Sequence, residues 1–254
     1  MKIVISPAKR LDFESKAPVK KHTQPVFTHE SETLIKILRE KSVTELKDLM
    51  KLSSDLAQLN HERYAKWQLP FTKKNAKQAL FAFEGDVFKA LDKNSLEKAD
   101  INYLQEHLRI LSGLHGVLRP LDLIQPHRLE GGTKLENDKG DNLYKFWGDK
   151  ITDFINKEIE KDGDKTLINL ASNEYFKYIN KKKLEADMLS LNFKQYKNGK
   201  LKTIAIYAKK ARGMMLHYMS KNRIDKTEDL KGFDYDGYAY SEEYSKNKEL
   251  MFIR

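Results

Sequence analysis

Leu108 to Trp147 reads L-R-I-L-S-G-L-H-G-V-L-R-P-L-D-L-I-Q-P-H-R-L-E-G-G-T-K-L-E-N-D-K-G-D-N-L-Y-K-F-W. The stretch gathers Gly113, Gly116, Gly131, Gly132, Gly140, Pro120 and Pro126. Glycine frees the backbone for positive φ or close approach, and proline fixes φ and removes a donor. Between these breakers stand Leu108, Ile110, Leu111, Leu114, Val117, Leu118, Leu121, Leu123 and Ile124. So many apolar residues do not belong to a surface loop. The reading is a short buried strand around Arg109 to Ser112, followed by an apolar loop packed inside the domain. Arg109, Arg119 and Arg128 ride on it, and arginines held by such a loop are placed to meet an anion. The plainer reading pairs them with nearby acids such as Asp122 and Glu130.

Working outward, the other elements alternate between strands and helices. Lys2 to Ser6 reads as a strand, and the continuous apolar run of Ile3, Val4 and Ile5 marks it as buried on both faces. Ser6-Pro7-Ala8-Lys9 ends it. Leu34, Ile35, Ile37 and Leu38 mark one helix face, and Ser42-Val-Thr-Glu45 fits a capping box opening a second helix. Ser53 or Ser54 can cap a third. Glu84-Gly-Asp86 is a turn, where Asp86 is either an acid at a strand tip or a helix cap. Ser95 to Gln105 and Phe146 to Lys161 read as helices, the latter stopped by Gly163. Thr166 to Leu170 is a second buried strand, and Asn169, Ser172 and Glu174 follow its tip at a helix start. Open α/β sheets place ligands there, and helix N-termini favour anions. A capping serine with a first-turn glutamate would look the same. Asn198-Gly199, between strands Met188–Tyr196 and Lys200–Tyr207, is a hairpin signal. Lys209, Lys210 and Arg212 then fall in or just before the first turn of a helix, where they oppose its dipole and a bound anion would relieve them.

The chain has 254 residues, enough for one large domain or two small ones, and no cysteine. Disulfides, thiolate metal sites and a cysteine nucleophile are therefore excluded. No secretory signal or membrane-length apolar segment is present in the sequence, so the expectation is a cytoplasmic protein with no membrane partner. The net charge is +10. Lys181 to Arg223 alone carries twelve Lys and Arg against two Asp and Glu, which leaves the remainder neutral. A neutral body with one basic segment fits a polyanion binder, although a lysine excess also serves solubility. No phosphate-loop, dinucleotide or nucleophile-elbow motif occurs. His107, His115 and His127 match no zinc spacing, so no metal and no cofactor are expected. Leu111-Ser-Gly113-Leu-His-Gly116 compares loosely with a helix-hairpin-helix phosphate grip, with two residues between the glycines instead of one.

Six blocks carry a further resemblance: I-S-P-A-K-x-L-D at Ile5 to Asp12, G-D-V-F at Gly85 to Phe88, L-S-G-L-H-G-V-L-R-P-L-D-L-I at Leu111 to Ile124, F-W-G-D at Phe146 to Asp149, N-L-A-S-N-E-Y-F-K at Asn169 to Lys177 and A-K-K-A-R-G at Ala208 to Gly213. Their order, from end to end, resembles the YaaA peroxide-stress family. The resemblance implies a bacterial cytoplasmic protein, made under peroxide stress, that limits free iron and so protects DNA. It implies a single α/β domain (mixed α+β, residues 1–254) of unusual topology, with a mixed sheet, flanking helices and a basic cleft. It also implies binding of double-stranded or distorted DNA through a helix-hairpin-helix-like element. A monomer is expected. His115 and His127 stand where that family more often has tyrosine, and Gly131-Gly132 replaces a bulkier pair.

Two functions of different class remain. A nucleic-acid-binding stress protein would line its cleft with Lys9, Arg109, Arg119, Arg128, Lys209, Lys210 and Arg212 and contact phosphates. An enzyme acting on a nucleotide or nucleic-acid component would work at Ser6, Asp86, Asn169, Ser172 and Glu174. Convergence of Asp86 and Glu174 with the cations in one deep pocket would favour the second; a shallow basic groove would favour the first.

Overall fold

The protein is described by a computed structural model covering residues 1–254. Strand β1 (Lys2–Ile5) and the short β2 (Arg10–Leu11) precede α1 (Thr28–Arg39), α2 (Val43–Met50) and α3 (Ser54–Lys66). Short pieces follow: β3 (Lys77–Gln78), α4 (Ala79–Ala82), β4 (Phe83–Glu84) and α5 (Asp86–Ala90). Helix α6 (Lys98–His107) leads into β5 (Leu108–Ser112), β6 (Gly116–Leu118) and β7 (Leu123–Ile124). Then come α7 (Leu143–Trp147), α8 (Lys150–Asp162), β8 (Thr166–Asn169), α9 (Asn173–Phe176) and β9 (Asp187–Lys197). The chain continues through β10 (Lys200–Lys202), α10 (Ala205–Asn222), β11 (Ala239–Lys246) and β12 (Glu249–Ile253). Ser42 and Glu45 form the expected capping box of α2, and Ser53 caps α3 through the Leu56 amide.

The main sheet runs in the order β11-β12-β9-β8-β1-β5-β6, with β10 beside β9. Its centre is parallel: β1 pairs with β5 on one side and β8 on the other, β9 follows β8, and β12 follows β9. The edges β6 and β11 pair antiparallel. The sheet is therefore mixed, as expected. Side chains of the central strands alternate between two apolar layers. Ile3, Ile5, Ile110 and Ile168 meet Val87, Phe88, Leu104, Met215 and Met219 on one face. Val4, Leu111 and Leu167 meet Leu34, Leu38, Phe146, Ile151 and Ile155 on the other.

The route through the sheet positions the site. From β1 the chain reaches β5 on one side by way of α6, whose Ile101 and Leu104 pack in the first layer. It then reaches β8 on the other side by way of α8, whose isoleucines pack in the second. The crossovers diverge about β1. In open α/β sheets such a reversal leaves a crevice at the carboxyl ends of the strands.

Three expectations need correction here. The Leu111–Leu118 segment is no helix-hairpin-helix element: it is the β5–β6 hairpin, with Leu111 paired to Val117. Leu114 and His115 at its turn are fully buried. Its glycines serve packing: a Cβ on Gly113 would sit 2.3 Å from the Leu129 carbonyl oxygen, and one on Gly116 2.7 Å from the Trp147 ring. No backbone amide there is presented to a phosphate. Secondly, the strand after Asn198-Gly199 stops at Lys202, and α10 begins at Ala205. Lys209, Lys210 and Arg212 therefore lie beyond the first turn, outside the short reach of the helix dipole. Thirdly, residues 146 to 161 are two helices, broken at Gly148.

Candidate functional site

A cavity of about 350 Å³ opens at the carboxyl ends of β5, β1 and β8. Each strand delivers a serine to it: Ser112, Ser6 and, just beyond β8, Ser172. The Ser172 amide donates to Ser6 Oγ at 2.8 Å, and the Ser6 hydroxyl donates to Ser172 Oγ at 3.1 Å. Two strand ends are thereby tied across the crevice. Ser112 Oγ accepts the His115 amide at 3.1 Å. Phe83, Leu129 and Tyr175 supply apolar wall, and His127 lines it with little exposure. Burial pushes the His127 imidazole down to about 4, against the hydrogen bond Nδ1 makes to the Gln125 carbonyl, so it is neutral near pH 7.

Charged groups reach the cavity from four directions. Lys9, on the loop after β1, pairs with Glu130 at 2.6 Å, and Arg128 pairs with the same carboxylate at 2.7 Å. Burial opposes the charged form of Glu130, but the hydrogen bonds from Lys9 and Arg128 outweigh it and hold the carboxyl below its usual range. Lys209 and Arg212 come from α10, which lies tightly on α5. Gly213 permits this, since a Cβ there would stand 2.1 Å from the Val87 carbonyl oxygen. The same contact sets Asp86, first residue of α5, beside the cations. Arg212 Nε is buried without a hydrogen-bond partner. Burial alone lowers the Arg212 pKa, and a guanidinium nonetheless keeps its proton in water. Glu174, on α9, accepts the Gly132 amide through Oε1 at 2.9 Å.

Of the twelve residues expected at a site, eight line this cavity: Ser6, Lys9, Asp86, Arg128, Ser172, Glu174, Lys209 and Arg212. Four do not. Arg109 is buried on the far side of β5, bidentate to Glu158 of α8 at 2.5 and 2.6 Å. It shares the strand face of Leu111, because alternate residues of a strand point the same way. Arg119 is held by Asp122 at 3.0 Å and by the Gln24 carbonyl. Asn169 braces the backbone, accepting the Ala171 amide and donating to Ser190 Oγ. Lys210 is exposed on α10 without lining the cavity. The acid-pairing alternative thus describes Arg119, Arg128 and Arg109, the last with a partner outside the quoted stretch. Nor is the cavity uniformly basic. Lys9, Arg10, Arg128, Lys209 and Arg212 face Glu84, Asp86, Glu130 and Glu174.

Arg10, Ser112, His127 and Tyr175 also line the cavity and were not expected there. Ser112 is legible in the sequence as the last residue of a buried strand. Arg10 depends on the small β2–β4 pairing, which sets it opposite Glu84 and which no sequence pattern announces.

The fold and cavity define an α/β protein with a mixed-charge pocket at a strand-order reversal. The family model described as peroxide stress protein YaaA matches residues 1–244. A UPF0246 protein of Alteromonas mediterranea is 52% identical over all of this chain and 98% of its own. A UPF0246 protein of Hahella chejuensis is 51% identical over all of this chain and 99% of its own. One from Neisseria meningitidis serogroup B is 50% identical, again over the whole chain and 98% of its own. The chain belongs to the peroxide stress protein YaaA family.

Proposed function

We propose that this peroxide-stress protein binds DNA in the cytoplasm through phosphate contacts centred on Lys209 and Arg212, and protects it there. The observation that carries the reading is the Arg212 guanidinium, whose buried Nε has no partner inside the protein and which faces an open cavity. A buried donor left unpaired is costly, so a ligand acceptor gains by supplying what the fold does not. Lys209 adds a cation with no carboxylate partner, and Lys210 extends the charge over the exposed side of α10. Lys9 and Arg128 contribute less, since Glu130 already answers both. Duplex and distorted DNA both present such phosphates. The lowering of free iron implied by family membership is, in this reading, indirect.

The combined variant Lys209→Ala, Lys210→Ala, Arg212→Ala tests it, by fluorescence anisotropy on a labelled duplex across a salt series. Binding weakens for every sequence, and the plot of log affinity against log salt becomes shallower by roughly two to three units if all three residues make contacts. Circular dichroism confirms folding. A folded variant with unchanged affinity and slope overturns the reading. The alternative, an enzyme acting on a nucleotide or nucleic-acid component, is favoured by one observation: Asp86 and Glu174 share the cavity with the cations.

A further inference from the structure

A surface made only to hold a polyanion has no use for unpaired carboxylates among its cations, because like charges repel a phosphate. This cavity has two. Neither Asp86 nor Glu174 takes part in an ion pair, while the third acid facing the loop cations, Glu130, is fully answered by Lys9 and Arg128. Glu174 is also oriented. Its Oε1 accepts the Gly132 amide at 2.9 Å, and its backbone carbonyl accepts the Tyr144 hydroxyl at 3.0 Å. The Gly131–Gly132 loop reaches it because a side chain on Gly131 would meet the Tyr175 ring at 3.0 Å. A carboxylate fixed in this way leaves its other oxygen as an acceptor for a ligand hydroxyl or amine.

The size of the cavity narrows the ligand. About 350 Å³ is at the small end of small-molecule pockets, which span about 300–1,000 Å³. It is bounded by several elements and does not track along a strand, so a paired duplex can set a phosphate at its cationic mouth but cannot enter it. Its contents are a cationic corner, a carboxylate acceptor and an apolar wall of Phe83, Leu129 and Tyr175. One compact chemical unit has the matching parts: a phosphate, hydroxyl or amine donors, and a flat apolar ring. Carboxylates meet sugar hydroxyls in this manner in other nucleotide sites.

We infer that the cavity binds a single nucleotide unit, its phosphate on Lys209 and Arg212 and its sugar or base donors on Glu174. The inference rests on the proposed phosphate contacts and adds the occupant of the pocket. That unit can be a free mononucleotide or an unpaired nucleotide of a strand.

Isothermal titration of the full chain with AMP, inorganic phosphate and adenosine tests it. AMP binds at least tenfold more tightly than either fragment, Glu174→Gln removes that advantage while phosphate binding holds, and Arg212→Lys weakens AMP and phosphate together. Should Arg212→Lys fail to fold, Lys209→Ala replaces it. Competition then separates the sources. AMP, sharing Lys209 and Arg212, displaces either duplex. If a duplex bearing one unpaired adenosine competes with AMP at least tenfold better than a fully paired one, and Glu174→Gln removes that difference, the strand supplies the unit; if the two compete equally, the free nucleotide does. AMP and phosphate binding equally, with Glu174→Gln indifferent, overturns the inference and leaves the DNA-phosphate reading standing. No binding of AMP or phosphate, with duplex affinity unmoved in the Arg212 and Lys209 variants, overturns both.

Discussion

His127 shows what the pocket asks of single residues. Its ring is nearly without solvent exposure, edge-on to His115 at 5.0 Å between centroids. Nδ1 donates to the Gln125 carbonyl, so Nε2 carries no proton when the ring is neutral. His115 is likewise held neutral by burial and the neighbouring ring, well below the usual imidazole value. The folded His127 pKa is about 4 and its unfolded value is 6.5. As pH falls below 6.5 the unfolded chain takes up the proton first, so stability declines down to about pH 4 and the loss is then complete. At about 1.4 kcal/mol per pH unit, His127 alone accounts for about 3 kcal/mol. Urea unfolding between pH 4 and 7 measures this. The variant His127→Gln, which keeps a donor for Gln125, makes the decline between about pH 6.5 and 4.5 shallower, leaving the share owed to His115, while the acid limb below it persists. That lower limb belongs to carboxyls such as Glu130 and Asp100, whose folded pKa lies below the usual range. An unchanged profile would remove His127 as the cause. Such residue-level facts were half legible. Glu130 as a partner of Arg128 and Asp122 as a partner of Arg119 could be named from proximity, but Glu158 for Arg109 required the fold.

The contact between α10 and α5 fixes the cationic corner, and Gly213 is its hinge point. A methyl there would meet the Val87 carbonyl oxygen at 2.1 Å and the Ala90 Cβ at 2.9 Å, so the helices would have to part. Overpacking of this kind costs about 1–3 kcal/mol. Gly213→Ala is therefore expected to lower the urea midpoint and to weaken phosphate binding, because Lys209 and Arg212 move with α10. A stable variant with normal phosphate affinity would show that the corner does not depend on this packing. The element reading succeeded where local chemistry speaks. Asn198 and Gly199 both adopt positive φ, 53° and 69°, as a tight hairpin turn demands. It failed at the start of α10 for an equally physical reason. The helix opens after Ile204 with no side-chain cap, and Thr203, Ile204, Ile206 and Tyr207 read as strand-favouring residues. A helix without a capping residue and with β-branched residues at its entrance gives no boundary in sequence.

At the scale of the molecule, the arrangement of the sheet was beyond sequence reasoning. Three buried strands are legible in the sequence, Lys2 to Ser6, Arg109 to Ser112 and Thr166 to Leu170, yet nothing in them says that the first lies between the other two. The pocket depends on that adjacency, since Ser6 and Ser172 meet only because β1 pairs with β8. The placement of β12 between β9 and β11 was equally silent. The same arrangement has a kinetic meaning. β1 occupies residues 2–5, while its partners occupy 108–112 and 166–169. The middle of the sheet therefore cannot form until segments a hundred and more residues apart have found one another, and loop closure opposes that search before any contact rewards it. Stopped-flow refolding from urea is expected to show helix appearing first. Burial of Trp147, which packs against the β5–β6 hairpin, follows in a slower phase of milliseconds to seconds. If both signals arrive together within microseconds, the sheet's long reach does not govern the rate. While β1 waits, its backbone edges stay open to strands of other chains, and the interval before β5 and β8 arrive is when the protein is most exposed to aggregation.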